Sequence, residues 1–165
     1  VSVAGPLGAA PEHRRCLRDM SEDQLAWMAE REREIFGAAA WSLKLIQEDY
    51  RYGGKRYRVV EIDGEPVAYA VYGYDGDAFH LMNIAVDSNA RGAGHGKVLM
   101  EDFLTEARAE RARDAWLEVA VTNTPALALY RSYGFEDVRV RPRYYQPEDV
   151  DAIVMRAKVP PAHAG

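Results

Sequence analysis

The sequence predicts an α+β fold built on a mixed, mostly antiparallel central sheet, and three observations carry that prediction. Two Asp-Gly pairs, Asp63-Gly64 and Asp75-Gly76, join three runs rich in β-branched and aromatic residues, which is the pattern of an antiparallel meander. After Val86 the hydrophobic period changes, and Leu99, Met100, Phe103, Leu104 and Ala107 recur at helical spacing. An alternating run from Ala115 to Val121 then completes a strand–helix–strand unit, so residues 79–86 and 115–121 are expected to run parallel.

In chain order, Arg14–Arg18 reads as a short strand. Ser21-Glu-Asp-Gln24 is a capping box, in which the serine oxygen and the glutamine side chain satisfy unpaired N–H groups. The helix it opens carries Leu25, Met28, Ala29, Ile35 and Phe36 on one side. The run Glu30-Arg-Glu-Arg-Glu34 alternates in sign and reads as a solvated face. A second short helix begins after Ser42. Tyr57–Ile62, Val67–Tyr74 and Phe79–Val86 form the meander, and the long helix runs from about Ala93 to Arg111. Pro125 at its start marks a short helix ending near Ser132, and Phe135–Tyr145 and Ala152–Lys158 close the sheet. The pattern amounts to about seven strands flanked by about four helices.

The 165 residues suffice for one domain, placed at 14–158. Residues 1–13 read as a flexible leader and 159–165 as a disordered tail. A net charge of −5 argues against holding nucleic acid through a general basic field. No apolar run reaches the length of a membrane-spanning helix, and the single cysteine, Cys16, suits a reducing, cytoplasmic setting. His13, His80, His95 and His163 are scattered without metal-ligand spacing, so no metal site is expected.

Arg91-Gly-Ala-Gly-His-Gly96, between the third meander strand and the long helix, is built to hold an anion. Glycines let successive N–H groups converge, and the helix start adds unpaired donors and the positive end of its dipole. Arg91 and Lys97 bring full charges to the same place. The pattern is not a Walker A loop, which needs glycine at 91 and Ser or Thr at 98, where this chain has Arg91 and Val98. Nor is it a dinucleotide fingerprint, which would start at Gly92 and fail at Lys97. A phosphate or pyrophosphate fits, with a purely structural turn as the competing reading.

Asn83-Ile-Ala-Val-Asp87 followed by R-G-A-G-H-G resembles the acetyl-CoA-binding motif Q/R-x-x-G-x-G/A of the GNAT superfamily. Trp116-Leu-Glu-Val119, Asn123 and Ala128-Leu-Tyr-Arg-Ser-Tyr-Gly-Phe135 are similar to its next motif. Arg141-Pro-Arg-Tyr-Tyr145 and Asp151-Ala152 resemble the carboxy-terminal signature of the RimI type, the bacterial ribosomal-protein-alanine N-acetyltransferases. Phe36 and Trp41-Ser42 are similar to that group's amino-terminal pattern. The resemblance implies a GNAT-like sheet and acetyl-CoA as co-substrate, with no metal. It also implies a protein amino terminus, alanine on a ribosomal small-subunit protein, as acceptor; from charge and composition, no direct contact to nucleic acid or membrane is expected.

Acetyl transfer from a thioester needs a neutral amine, a stabilised oxyanion and a proton for the departing thiolate. Alternation puts Trp116, Glu118 and Ala120 on one face of their strand, where a helix-covered parallel pair would be apolar on both faces. From the residues alone, Glu118 is either a charge near an edge or a functional group, and Tyr130 is either half-buried packing or functional. The resemblance makes Glu118 the general base and Tyr130 the general acid, with Tyr133 a neighbouring competitor. Asn123 reads as a helix cap, to which the resemblance adds a hydrogen bond to the cofactor. The cofactor-binding set then comprises Ile84, Ala85 and Val86 facing the pantetheine arm, the cradle Arg91, Gly92, Ala93, Gly94, His95, Gly96 and Lys97, and Asn123. His95 is read as non-catalytic. The acidic Glu148, Asp149 and Asp151 precede the last strand and are expected to favour basic residues behind the acceptor's amino terminus. Other readings are acetylation of a small amine, lysine or aminoacyl-tRNA, or a non-catalytic acetyl-CoA-binding module.

Overall fold

The computed structural model describes residues 13–161. The chain forms strands β1 (Arg15–Asp19), β2 (Lys55–Ile62), β3 (Glu65–Asp75), β4 (Ala78–Val86), β5 (Asp114–Ala120), β6 (Glu136–Tyr145) and β7 (Val150–Lys158). The helices are α1 (Leu25–Phe36), α2 (Leu43–Tyr52), α3 (His95–Ala109) and α4 (Thr124–Ser132). One seven-stranded sheet has the order β1-β2-β3-β4-β5-β7-β6. Every neighbouring pair is antiparallel except β4 with β5, as the strand–helix–strand pattern requires. Both hairpins form, the second with a shift of one residue: Asp75 pairs with Ala78, so the chain turns on Gly76-Asp77. Residues 1–12 of the expected leader and 162–165 of the expected tail lie outside the described residues; beyond β7, Val159 still donates its N–H to Arg113 at 2.9 Å.

Local chemistry sets the element ends. Gln24 accepts the Ser21 N–H at 3.0 Å, and Ser42 accepts the Leu45 N–H at 3.2 Å to cap α2. The capping box opens a short 3-10 turn over Glu22–Gln24, which runs directly into α1.

Two cores lie on the two faces of the sheet. Under α3 and α4, Leu81, Leu99, Met100, Phe103, Leu117 and Met155 are almost wholly buried, and Phe79 stacks on Phe103 with centroids 5.4 Å apart. Each such side chain contributes about 1.5–3 kcal/mol by burial. Under α1 and α2, Leu25, Met28, Ile46, Val59, Tyr69 and Val71 form the second core. This core takes in residues of β2, β3 and β4 but none of β5, β7 or β6, although Ala152 and Val154 of β7 are buried on that same face. Burial of β5 therefore alternates, with Ala115, Leu117 and Val119 buried and Trp116, Glu118 and Ala120 partly exposed. That corrects the expectation of an apolar strand on both faces, because only one face of β5 meets helices.

The charged run on α1 needs a second correction. Glu30, Arg33 and Glu34 are exposed, but Glu32 is 1 % exposed and Arg31 is largely covered. Leu25, Met28 and Glu32 are the buried residues of α1. They lie along one helical stripe, so position 32 faces the sheet whatever its charge.

Candidate active site

β4 and β5 pair only at Phe79–Ala115, His80–Trp116 and Leu81–Leu117. Beyond these the strands part. β5 stays paired with β7 from Asp114 to Ala120, while β4 runs beside β3 out to Val86. A bulge marks the start of the divergence: Tyr72 faces Leu81 and Val71 faces Asn83, leaving Met82 as an extra residue on β4. Among the described residues, the half of β4 after Leu81 thus has a strand on one side and none on the other. Ile84, Ala85 and Val86 lie in this half. Their side chains are held by the two cores, Ile84 and Val86 on the α3 side and Ala85 on the α1 side. Peptide groups on the open side need partners, and an extended chain laid in the gap would supply them as an added strand.

The chain then turns through Arg91, Gly92, Ala93 and Gly94 into α3. Gly92 has φ +85° and Gly94 has φ +81°, conformations that favour glycine, and a Cβ on either would meet no atom within 4 Å. Gly94 is the cap residue of α3 and has no side chain to cap with. The first helical hydrogen bond runs from Val98 N–H to Gly94 at 3.1 Å, so the N–H groups of His95, Gly96 and Lys97 precede it at the helix end. Arg91 and Lys97 are exposed beside this open space, and α3 has no acidic residue in its first turn. The donor set and the room fit an anion. His95 differs from its neighbours: the residue is 6 % exposed and Nδ1 has no partner among the described residues. Burial, with Arg15 nearby, holds the imidazole below its ordinary range.

Glu118 is the first residue of β5 past the last parallel pair, so it stands at the apex of the fork. Its side chain points to the face that the helices leave open. Nε2 of His80 donates to its Oε2 at 2.5 Å, and Arg141 Nη1 reaches its Oε1 at 3.4 Å. The His80 hydrogen bond is the main cause that holds this carboxyl below the ordinary carboxylate range, opposed by burial and aided by Arg141. Arg141 in turn lies 4.4 Å above the Tyr144 ring. In the sequence, His80 is only one of four scattered histidines. The parallel register is the signal that could find it, since it sets position 80 beside 116 and hence on the same face as 118.

Tyr130 lies on α4, 5 % exposed, edge-on to Phe135 with centroids 6.2 Å apart. Burial pushes its phenol well above the ordinary tyrosine range, and Tyr145 adds to the shift. Tyr145, pushed up to about 12 mainly by burial, also feels Glu118 and Arg141. Sequence reasoning gives Tyr145 no role, yet it sits within electrostatic reach of both Glu118 and Tyr130. Tyr133 points elsewhere, with its hydroxyl on Lys97 O at 3.3 Å and Glu101 at 3.4 Å along α3. Asn123 caps α4 by accepting the Ala126 N–H at 3.3 Å. Among the acidic residues near the last hairpin, Asp151 accepts the Arg143 N–H at 2.8 Å, while Glu148 and Asp149 are exposed in the turn.

Comparison with known proteins identifies the family. The Acetyltransferase (GNAT) family model matches residues 17–135. The ribosomal protein bS18 alanine N-acetyltransferase of Escherichia coli strain K12 is 34% identical over 122 residues, covering 72% of this chain and 80% of the relative. The protein of the same name from Salmonella typhimurium is 33% identical over 134 residues, covering 79% of this chain and 86% of the relative. The crystal structure of the ribosomal-protein-S18-alanine N-acetyltransferase from Escherichia coli superposes with a TM-score of 0.77 at 29% identity, over 92% of this chain and 98% of that one. Ard1 from Thermoplasma volcanium shares the fold, with a TM-score of 0.79 at 24% identity over 88% of this chain and 98% of that one. The chain belongs to the GNAT acetyltransferase family and is an acetyl-CoA-dependent N-acetyltransferase of RimI-like kind.

Proposed function

We propose that this enzyme acetylates the α-amine at the amino terminus of a protein, with alanine first and a ribosomal small-subunit protein as the natural acceptor. The observation that carries the reading is the Glu118 carboxylate at the apex of the fork, open on the helix-free face and held ionised. The likeness to enzymes named for bS18 alanine supports the acceptor. In this reading Arg91, Lys97 and the N–H groups of residues 92–97 hold the pyrophosphate of acetyl-CoA. Peptide groups of Ile84, Ala85 and Val86 line its pantetheine arm, and Asn123 adds a polar contact. When bound, the cofactor supplies the acetyl group already activated as a thioester.

The protein's own groups manage two protons. Glu118 accepts a proton from the acceptor amine, directly or through water, and His80 Nε2 keeps that carboxylate oriented. Tyr130 stays protonated at neutral pH and gives its phenolic proton to the departing sulfur. An α-amine suits this arrangement, since its unperturbed pKa of about 7.7–8.0 leaves a usable neutral fraction. Lysine at about 10.4 would require about 2.5 further units, or about 3.4 kcal/mol, of deprotonation.

The test is acetyl-CoA turnover on a peptide panel read by mass spectrometry. A peptide beginning with alanine is expected to be acetylated at its α-amine, and blocking that amine is expected to abolish transfer although lysines remain. Acetyl on lysine of the blocked peptide at an undiminished rate would overturn the reading.

A further inference from the structure

The free half of β4 poses a mechanical problem: it must receive the pantetheine arm, yet past Leu81 no strand of the described residues lies beside it on the β5 side. A strand half exposed on one edge opens more readily than one held on both. Helix α1 supplies what the missing strand does not. Oε1 of Glu32 accepts from the Asn83 side chain, one residue beyond the bulge, and from the Tyr69 hydroxyl on β3. Its Oε2 accepts the Trp41 N–H at 3.4 Å, in the segment between α1 and α2. The neighbouring Arg31 reaches the other end of the same half, with Nη1 3.1 Å from Asp87, and Asp87 itself accepts the Asn89 N–H at 3.1 Å on the way into the phosphate turn.

We infer that Glu32 is a positioning residue for acetyl transfer: it fixes the free half of β4 at the spacing the pantetheine arm requires. A buried carboxylate is costly, and burial pushes this one up against its three donors. A leucine at position 32 would continue the stripe of Leu25 and Met28 at lower cost. The carboxylate's use lies in joining three separate pieces of chain by hydrogen bonds whose geometry is directional, which packing alone does not provide. Glu32 touches neither cofactor nor acceptor, because it is 1 % exposed. It acts through Asn83. The inference rests on the acetyl-CoA reading of the fork.

Calorimetric titration of the protein with acetyl-CoA tests it. Glu32→Ala and Asn83→Leu are each expected to weaken binding about tenfold or more, equal to about 1.4 kcal/mol. Met28→Ala, which cuts a side chain equally buried on α1, is expected to lower the melting temperature but leave affinity within about twofold. Glu32→Gln, which keeps an acceptor oxygen, is expected to recover most of the loss. Wild-type affinity in folded Glu32→Ala and Asn83→Leu would overturn the inference. So would Met28→Ala weakening binding as much as they do, or Glu32→Gln binding no better than Glu32→Ala. If Glu32→Ala does not fold, Asn83→Leu carries the test, since Asn83 is only half-buried. Wild-type protein that bound no acetyl-CoA would instead refute the reading of the fork itself.

Discussion

Glu118 and Glu32 serve the same face of the sheet, one at the apex of the fork and one behind its wall, in surroundings of opposite character. Glu118 has a histidine and an arginine as partners and lies where no helix covers the sheet. Glu32 has neutral donors only, a phenol, an amide and a backbone N–H, beneath α1. His80 and Arg141 lower the carboxyl of Glu118, whereas burial raises that of Glu32. A carboxylate that must exchange protons with an incoming amine needs room and a charge already in place. One that anchors backbone can be sealed, because its donors never leave. On the roles proposed above, the contrast separates chemistry from positioning, and mutation can break it in either place.

The largest expected effect is at the apex. Glu118→Gln keeps the shape and the His80 contact but cannot take a proton, so turnover is expected to fall roughly 10²-fold or more while acetyl-CoA affinity stays near wild type. Tyr130→Phe is expected to cost up to a similar factor by removing the proton donor, again with affinity little changed. Full turnover in both variants, measured where chemistry limits the rate, would remove them from the mechanism. Behind the wall the order reverses, and affinity falls before chemistry does.

Gly94→Val is the next step down. A Cβ there meets no protein atom, so any loss comes from two other sources. Valine at φ +81° is strained by roughly 1–3 kcal/mol, and the branched side chain fills space that the anion needs. Acetyl-CoA affinity is expected to drop at least about tenfold. Unchanged calorimetric affinity in a folded variant would sink the anion-site assignment.

The pH profile sharpens the comparison without mutation. Because His80 and Arg141 hold Glu118 below the ordinary carboxylate range, it remains ionised as the pH falls from neutrality through that range. The acid limb of kcat/KM is therefore expected to track the acceptor amine, near its pKa of about 7.7–8.0. The raised phenol of Tyr130 keeps any basic limb of its own above the ordinary tyrosine range. An acid limb that stayed fixed when peptides of different amine pKa were exchanged would assign it to the enzyme instead.

Legibility in the sequence divides along the same line. The hairpins, the change to helical period and the glycine turn are local patterns, and the elements they predict stand within a few residues of their observed ends. Glu118 stands out as a charge in an apolar strand, but the reason it is tolerated is not local. Which face of β5 goes uncovered depends on where α1 and α2 stop, and that is a property of the whole sheet. His80 needs the parallel register to find its partner. Glu32 is disguised by its neighbours: within Glu30–Glu34 the alternation of sign is more conspicuous than the helical spacing from Leu25 and Met28. Charge alternation is the louder pattern, yet the geometric stripe decides burial.

The smallest effect concerns the residues just behind the acceptor's amino terminus. Glu148 and Asp149 are exposed in the turn between β6 and β7; on the proposed reading this turn borders the acceptor, where the two carboxylates would attract basic side chains. Asp151 contributes less than its charge suggests, because one oxygen is held by the Arg143 N–H. Opposing them, Arg139 and Arg141 are exposed on β6, and their registers with Val154 and Ala152 put them on the same face as Glu118. The two sets partly cancel, so an alanine peptide with Arg or Lys in its first few residues is expected to outperform its neutral counterpart only a few-fold in kcat/KM. Exposed charges act through screened water, and raising ionic strength toward 1 M, where the Debye length is about 3 Å, is expected to erase the difference. Replacing Glu148 and Asp149 together by Gln and Asn is expected to do the same at low salt, without changing kcat. A preference for acidic peptides that the same salt removes would mean that the arginines of β6 outweigh the turn.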